Sequence, residues 1–238
     1  MYIMQNEHNS VIFWVRIMEN EKETKKKLLE CAMKEFSEKG YMKASIRNIC
    51  KEAGVTTGAL YFFFKDKEDL FGNLVGGPLM KLEKLIDDHF SEEIVATQKV
   101  TKESSGKGVT VADLAAAQGF EDDTEIAKVV VKYLFQEKEA FDLLLTKSQG
   151  SIYETVVDKI VDKVEDHYTM MYVAMKGYKS KRELTKEDKF IIHWMSHDQI
   201  DIFLHLATHC KSVKEAESQM SNMMAYMIGG WFAVINNK

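Results

Sequence analysis

The sequence predicts an all-α protein, a small three-helix head followed by a larger helical body, and three observations carry that prediction. Across 238 residues there is a single proline, Pro78, so almost nothing interrupts an i to i−4 hydrogen-bond ladder. Leu, Met, Lys and Glu are abundant, and these side chains lose little rotamer freedom in a helix. Apolar residues recur at steps of three and four through most of the length, the period of an amphipathic helix. With 45% apolar side chains, the chain has enough material for one large or two modest cores.

The elements follow in order. Residues 1–21 read as an N-terminal extension: Met18 is followed at once by the polar run Glu19 to Thr24. One expectation is that Met18 is the natural start; the other is that the stretch is a short extra helix or arm. Leu28, Leu29, Ala32, Met33 and Phe36 mark the first helix of the head, closed by Gly40, which tolerates the left-handed cap conformation. Ser45 offers an N-cap oxygen to a second helix with Ile46, Ile49, Cys50 and Ala53 inward and Gly54 at its end. Thr56 caps a third, with Leu60 and Phe64 buried, and Asp66 with Asp69 resembles a capping box opening a fourth. The head therefore spans residues 22–66 and the body 67–238.

In the body, a helix is expected from Lys67 to about Phe90, with a kink or break at Gly76-Gly77-Pro78, where proline removes an amide and crowds the preceding turn. Residues 97–110 read as a loop and Val111–Ala117 as a short helix. A wide apolar stripe predicts a helix over Thr124–Lys147, and another is expected over Ile152–Lys176. Thr185 caps a segment reaching His209 that is apolar on more than one side. Val213, Ala216, Met220, Met223, Met227 and Trp231 then form the seam of a last helix packed almost parallel to a neighbour.

The formal charge of −5 argues against a nucleic-acid ligand only if taken as a total. Residues 18–70 carry 11 Lys and Arg against 10 Asp and Glu, so a near-neutral head with Arg47, Lys51, Lys65 and Lys67 sits on an acidic body. The three cysteines, Cys31, Cys50 and Cys210, are far apart and fit a reducing compartment, with the cytoplasm as the expected location. The apolar stretch Val11–Met18 contains Arg16 and is far shorter than the roughly 20 residues a spanning helix needs, so no membrane association is expected.

The informative segment runs from Ser45 to Tyr61. A helix-turn-helix needs a small residue where two helices cross, a glycine about four positions later to turn the chain, and apolar residues beyond to pin the second helix. Cys50, Gly54, Val55 and Leu60 occupy those places. The extended run Gly54-Val55-Thr56-Thr57-Gly58-Ala59-Leu60-Tyr61-Phe62-Phe63-Phe64-Lys65-Asp66-Lys67-Glu68-Asp69-Leu70, with Phe36, Gly40, Tyr41 and the Ser45-Ile46-Arg47 entry, strongly resembles the signature of the TetR family of transcriptional regulators. The match covers about residues 25–71; beyond it only the helical layout is similar.

That resemblance implies a DNA-binding head and a body that binds a small ligand and forms a homodimer. It implies that Thr56, Thr57, Gly58 and Ala59 open a recognition helix, with Thr57 and Ala59 reaching base edges and Gly58 letting the backbone come close. Tyr61 is then a phosphate contact, Ser45 and Arg47 contact backbone or base edges, and Lys67 adds charge at a helix N-terminus. Phe63 departs from the family pattern, since relatives commonly carry Tyr or His at Phe62 or Phe63; it loses a phosphate contact or lies against sugar and methyl surface. The implied partners are double-stranded DNA with a palindromic operator, a second copy joined through the last two helices, and a small-molecule effector whose identity the sequence does not give. The implied activity is repression relieved by that effector.

Candidate pocket walls are Tyr133, Phe141, His167, Tyr168, Tyr172 and Trp194, apolar bodies with polar tips, against the alternative of a filled core. His193, His197, His205 and His209 recur every four residues, but each step drifts about 40° around a helix, so the outer pairs cannot share a face. They read as interface or wall histidines; no metal and no cofactor are expected. No nucleophile, base and orienting group assemble into a catalytic set, so an enzyme is not expected. The rival reading is a helical scaffold whose head has lost DNA recognition.

Overall fold

The computed structural model describes residues 2–103 and 120–236, and among them the chain is all helix, apart from one short 3-10 turn, with no strand. The α-helices are α1 (Tyr2–Lys43), α2 (Ile46–Ala53), α3 (Thr57–Phe63), α4 (Lys67–Glu103), α5 (Phe120–Gln136), α6 (Lys138–Thr146), α7 (Val156–Met175), α8 (Lys186–His209) and α9 (Val213–Asn236). The chain divides into two compact units, Met1–Gly77 with Asp142–Glu154, and Pro78–Phe141 with Thr155–Lys238.

The first unit is built on α1, whose Leu28, Ala32 and Phe36 are fully buried and recur at the spacing of one helical face. Gly40, at φ 72°, breaks the straight run of this helix, so its last residues turn away. The Tyr41 N–H then donates to the carbonyl of Lys147 at 2.8 Å, drawing the 142–154 segment onto the same core. Phe71 of α4 meets Phe36 edge-on, ring centres 5.0 Å apart, and Tyr153 packs against Phe71. Each such fully buried aromatic contributes about 1.5–3 kcal/mol by leaving water.

The second unit holds two apolar clusters. Val100 of α4 packs with Met171, Tyr172 and Met175 of α7 and with Ile192 of α8. Ala127 and Val131 of α5 pack with Leu206 of α8 and with Ala216, Met220 and Met224 of α9. Helix α8 touches both clusters, as its many-sided apolar pattern requires. Its start is the cap expected at Thr185, which the structure completes as a capping box: the Thr185 hydroxyl accepts from Asp188 N–H, and the Asp188 carboxylate accepts from Thr185 N–H.

Several boundaries differ from those expected. Helix α4 does not break at Gly76-Gly77-Pro78 and does not stop near Phe90; it runs through Pro78 to Glu103. Proline costs one hydrogen bond, but Val75, Leu79 and Leu82 are buried on either side of it, and this burial outweighs a local loss of about 3 kcal/mol. Thr97 and Val100, expected in a loop, are buried helical residues. The stripe over Thr124–Lys147 is two helices, α5 and α6, parted at Glu137. Helix α7 starts at Val156 because residues 148–151 fold into a tight turn in which Ser151 N–H reaches the carbonyl of Ser148. The helix expected at Val111–Ala117 lies outside the described residues.

Candidate nucleic-acid interface

Helix α2 is set by its two caps. The Ser45 side chain accepts from Asn48 N–H at 3.4 Å, and Gly54, at φ 70°, closes the helix while Val55 N–H donates to the carbonyl of Cys50 at 3.0 Å. That last bond spans five residues and reverses the chain tightly, so α3 starts at once. The Thr56 side chain accepts from Ala59 N–H at 3.1 Å and caps α3. Ile49, Cys50 and Ala53 of α2 are buried with Leu60 of α3 and Phe64 just beyond it. Those apolar residues leave α3 one possible orientation.

The opposite face of α3 is therefore turned out. Thr56, Thr57 and Gly58 are exposed, Ala59 is half-buried, and Tyr61 and Phe62 are 52% and 70% exposed. Phe63 is half-buried and meets Phe62 edge-on at 5.0 Å. Beyond its chain neighbours and the backbone of its own helix, a methyl group added to Gly58 would come no closer than 3.8 Å to any atom, that atom being Thr56 Oγ1, so packing does not demand a glycine there. Burial pushes the pKa of the Cys50 thiol up, with Thr57 opposing. Arg47 and Lys51 on α2 and Lys65 after α3 are exposed cations of the same unit.

Lys67 and Ser45 are more enclosed. The Lys67 ammonium donates to the carbonyl of Met42 at 3.3 Å and lies 4.7 Å from the centre of the Tyr41 ring. Burial lowers its pKa, with Glu35 and Glu68 opposing. Tyr41 in turn donates to Glu68 at 2.8 Å, and burial, reinforced by that carboxylate, pushes its pKa up to about 12. Glu68 also accepts the Ile152 N–H at 3.2 Å. At the start of α4, Asp66 accepts from Asp69 N–H, while Asp69 reaches past Asp66 to Lys65 N–H, both at 2.8 Å.

Two residues of this unit were missed in the sequence. Glu35, 4% exposed, accepts from Lys39 at 2.8 Å, from Ser45 N–H at 3.0 Å and from the Asn48 amide at 3.4 Å. Its spacing from Leu28 and Ala32, seven and three residues, already places it on the buried face of α1. Phe62 stands two positions from Leu60, about 200° around the helix, and was legible as outward from that angle alone.

The six candidate pocket residues do not gather. Tyr133 and Phe141 are buried and pack edge-on at 5.8 Å, and the Tyr133 hydroxyl donates to the carbonyl of Pro78. His167 is stacked flat on Phe90, ring centres 3.9 Å apart, with Nε2 2.7 Å from Glu93. Tyr168 lies against Trp231, and Tyr172 donates to Asp188 at 2.6 Å. Trp194 is 47% exposed. A cavity of about 640 Å³ lies elsewhere in the same unit, walled by Ile94, Thr97 and Gln98 of α4 and by Met170, Met171, Val173 and Ala174 of α7, with Tyr178, Ser180 and Lys181 beyond α7. None of the six lines it. Among the described residues no helix is long and apolar enough to cross a membrane.

Residues 28–74 match the model of the bacterial regulatory proteins of the tetR family. The chain is 30% identical over 107 residues to the uncharacterized HTH-type transcriptional regulator YdgC of Bacillus subtilis (strain 168), covering 45% of this chain and 52% of that one. It is 46% identical over 52 residues to the HTH-type transcriptional regulator AcrR of Shigella flexneri, covering 22% and 24%. It is 36% identical over 64 residues to the HTH-type transcriptional repressor BepR of Brucella suis biovar 1 (strain 1330), covering 27% and 31%. The aligned region thus spans about half the length of YdgC and less of the other two.

Proposed function

Because residues 28–74 match the tetR family of bacterial regulatory proteins, we propose that the chain is a repressor of that family that binds a palindromic operator as a homodimer and leaves it when a small molecule enters the body. The observation that carries the reading is the two-sided character of α3: Leu60, and Phe64 at its end, are sealed in the core while Thr57, Gly58, Tyr61 and Phe62 face water. A helix of seven residues gains nothing for the fold from an exposed tyrosine and phenylalanine. It gains a surface for a major groove: Thr57 and Ala59 against base edges, Gly58 for close approach, Tyr61 on phosphate and the two phenylalanines on sugar and thymine methyls. Ser45 and Arg47 hold register from α2, and Lys67 contributes its charge behind them.

A second copy joined through α8 and α9 supplies the two-fold axis, and two-fold symmetry makes the operator palindromic. The effector takes the cavity between α4 and α7, whose volume lies in the usual range for small-molecule sites. Helix α4 starts at Lys67, directly after α3, and its far end walls that cavity, so a ligand preferring one position of Ile94 and Thr97 shifts the population of DNA-competent heads. The protein acts in the cytoplasm, where its operator is.

Selection of bound duplexes from a random-sequence library tests the reading. An enriched inverted repeat with half-sites about one helical turn apart is expected. Recovery of no common sequence, with binding that depends on salt alone, contradicts it.

A further inference from the structure

From the geometry around His193 and His197 we infer a site for a first-row divalent transition-metal ion on the exposed side of α8, separate from the DNA-reading head. The four histidines of this helix resolve into two pairs. His193 and His197 lie one turn apart with ring centres 4.7 Å apart and ring planes at 70°. His205 and His209 have the same spacing, but their planes are within 24° of parallel. Imidazole lone pairs lie in the ring plane. Planes that cross let two nitrogens converge on one ion; nearly parallel planes do not.

The distance fits as well. An imidazole nitrogen ligates zinc at about 2.0–2.1 Å, which puts the ring centre about 3.2 Å from the metal, so two rings at 90–110° about it have centres about 4.5–5.2 Å apart. The His193–His197 separation falls inside that interval.

The second observation is Glu165 of α7, whose Oε2 is 2.6 Å from His193 Nδ1. A carboxylate on the far nitrogen of a ligating histidine fixes its tautomer, points Nε2 outward and raises its basicity. Glu165 is thus a positioning residue, and His193 is poised as a ligand by a partner on another helix. Both histidines are exposed on the single chain. Among the described residues no group of three or more His, Cys, Asp or Glu gathers around an ion, so water completes the coordination. Two nitrogen ligands suit zinc, nickel or copper and not calcium or magnesium.

Calorimetric titration of the full chain, carrying no polyhistidine tag, with zinc chloride at pH 7.5 is the test. One zinc per chain is expected for the unaltered protein and for His205→Ala, with affinity at least tenfold weaker in His193→Ala and in His197→Ala. Glu165→Gln should weaken binding about 10–100-fold while leaving both ligands in place. Because the histidines are exposed and Glu165 is not in the buried core, circular dichroism should show each variant folded. Equal zinc affinity in the unaltered protein and His197→Ala, loss confined to His205→Ala, or no zinc bound at all would each overturn the assignment.

Discussion

The Glu35 carboxylate accepts the backbone N–H of Ser45 at 3.0 Å, so a buried charge on α1 holds the N-cap of α2. The same carboxylate takes Lys39 and the Asn48 amide, and these donors lower its pKa although burial, the largest single influence, raises it. Glu35→Gln puts an amide with its own N–H donors at a buried position where a carboxylate accepts three bonds, so it should cost about 1–3 kcal/mol. The sign of the pH dependence follows. A depressed carboxyl pKa contributes stability that is complete above the unfolded value and lost as pH falls through the folded one. Thermal melts from pH 7 down to pH 3 should show the gap between the parent and Glu35→Gln closing; a gap that stays constant would show that the charge contributes nothing.

Gly58 separates fold from function. A Cβ there meets nothing nearer than 3.8 Å, so Gly58→Ala should leave the melting temperature unchanged or raise it, alanine being favoured over glycine in a helix by about 0.5–1 kcal/mol. Operator affinity should fall at least tenfold as the methyl group meets DNA. A variant that is equally stable and binds as tightly as the parent would remove Gly58 from the interface.

Phe62, 70% exposed, should be expendable for folding, with Phe62→Ala changing stability by no more than about 0.5 kcal/mol. Its loss should weaken operator binding several-fold, read by gel shift beside a melt of the same sample. A large drop in melting temperature with unchanged binding would assign Phe62 to the fold instead.

Gly77 lies inside α4, and a side chain there would meet open space within 4 Å. Gly77→Ala should therefore stabilise the protein by up to about 1 kcal/mol in denaturant unfolding. If bending at this point transmits the effector signal, the same variant should bind operator normally but require more effector for release. Stabilisation with unaltered release would show that α4 works as a rigid element.

The head was the most legible part of the chain because its elements are short and punctuated. Ser45, Gly54 and Thr56 each fix a helix end through a bond to the local backbone, and such bonds depend on neighbours in sequence alone. Pro78 misled for the opposite reason: the local penalty is real, but whether it ends a helix is decided by Val75, Leu79 and Leu82, whose burial depends on distant segments. The cavity between α4 and α7 depends on distant segments in the same way. Side-chain type alone points to aromatic residues with polar tips; Tyr133, His167 and Tyr172 are each committed to a partner of the core, and the cavity's one aromatic wall is Tyr178 among aliphatic and polar side chains. Glu35 is readable as a buried position from its spacing, but a carboxylate there is costly unless it is partnered, and its partners Lys39, Ser45 and Asn48 converge on it only in the folded chain.

The central claim is that the outward face of α3 reads DNA, and fluorescence anisotropy on a labelled duplex carrying the selected inverted repeat tests it most directly. Thr57→Ala should lose about 1–3 kcal/mol on that duplex and regain parity with the parent when one base pair of each half-site is changed, while Tyr61→Ala weakens every duplex alike. If both substitutions leave binding to the repeat unchanged, or lower it equally on all sequences, α3 is not the reading element and the account fails.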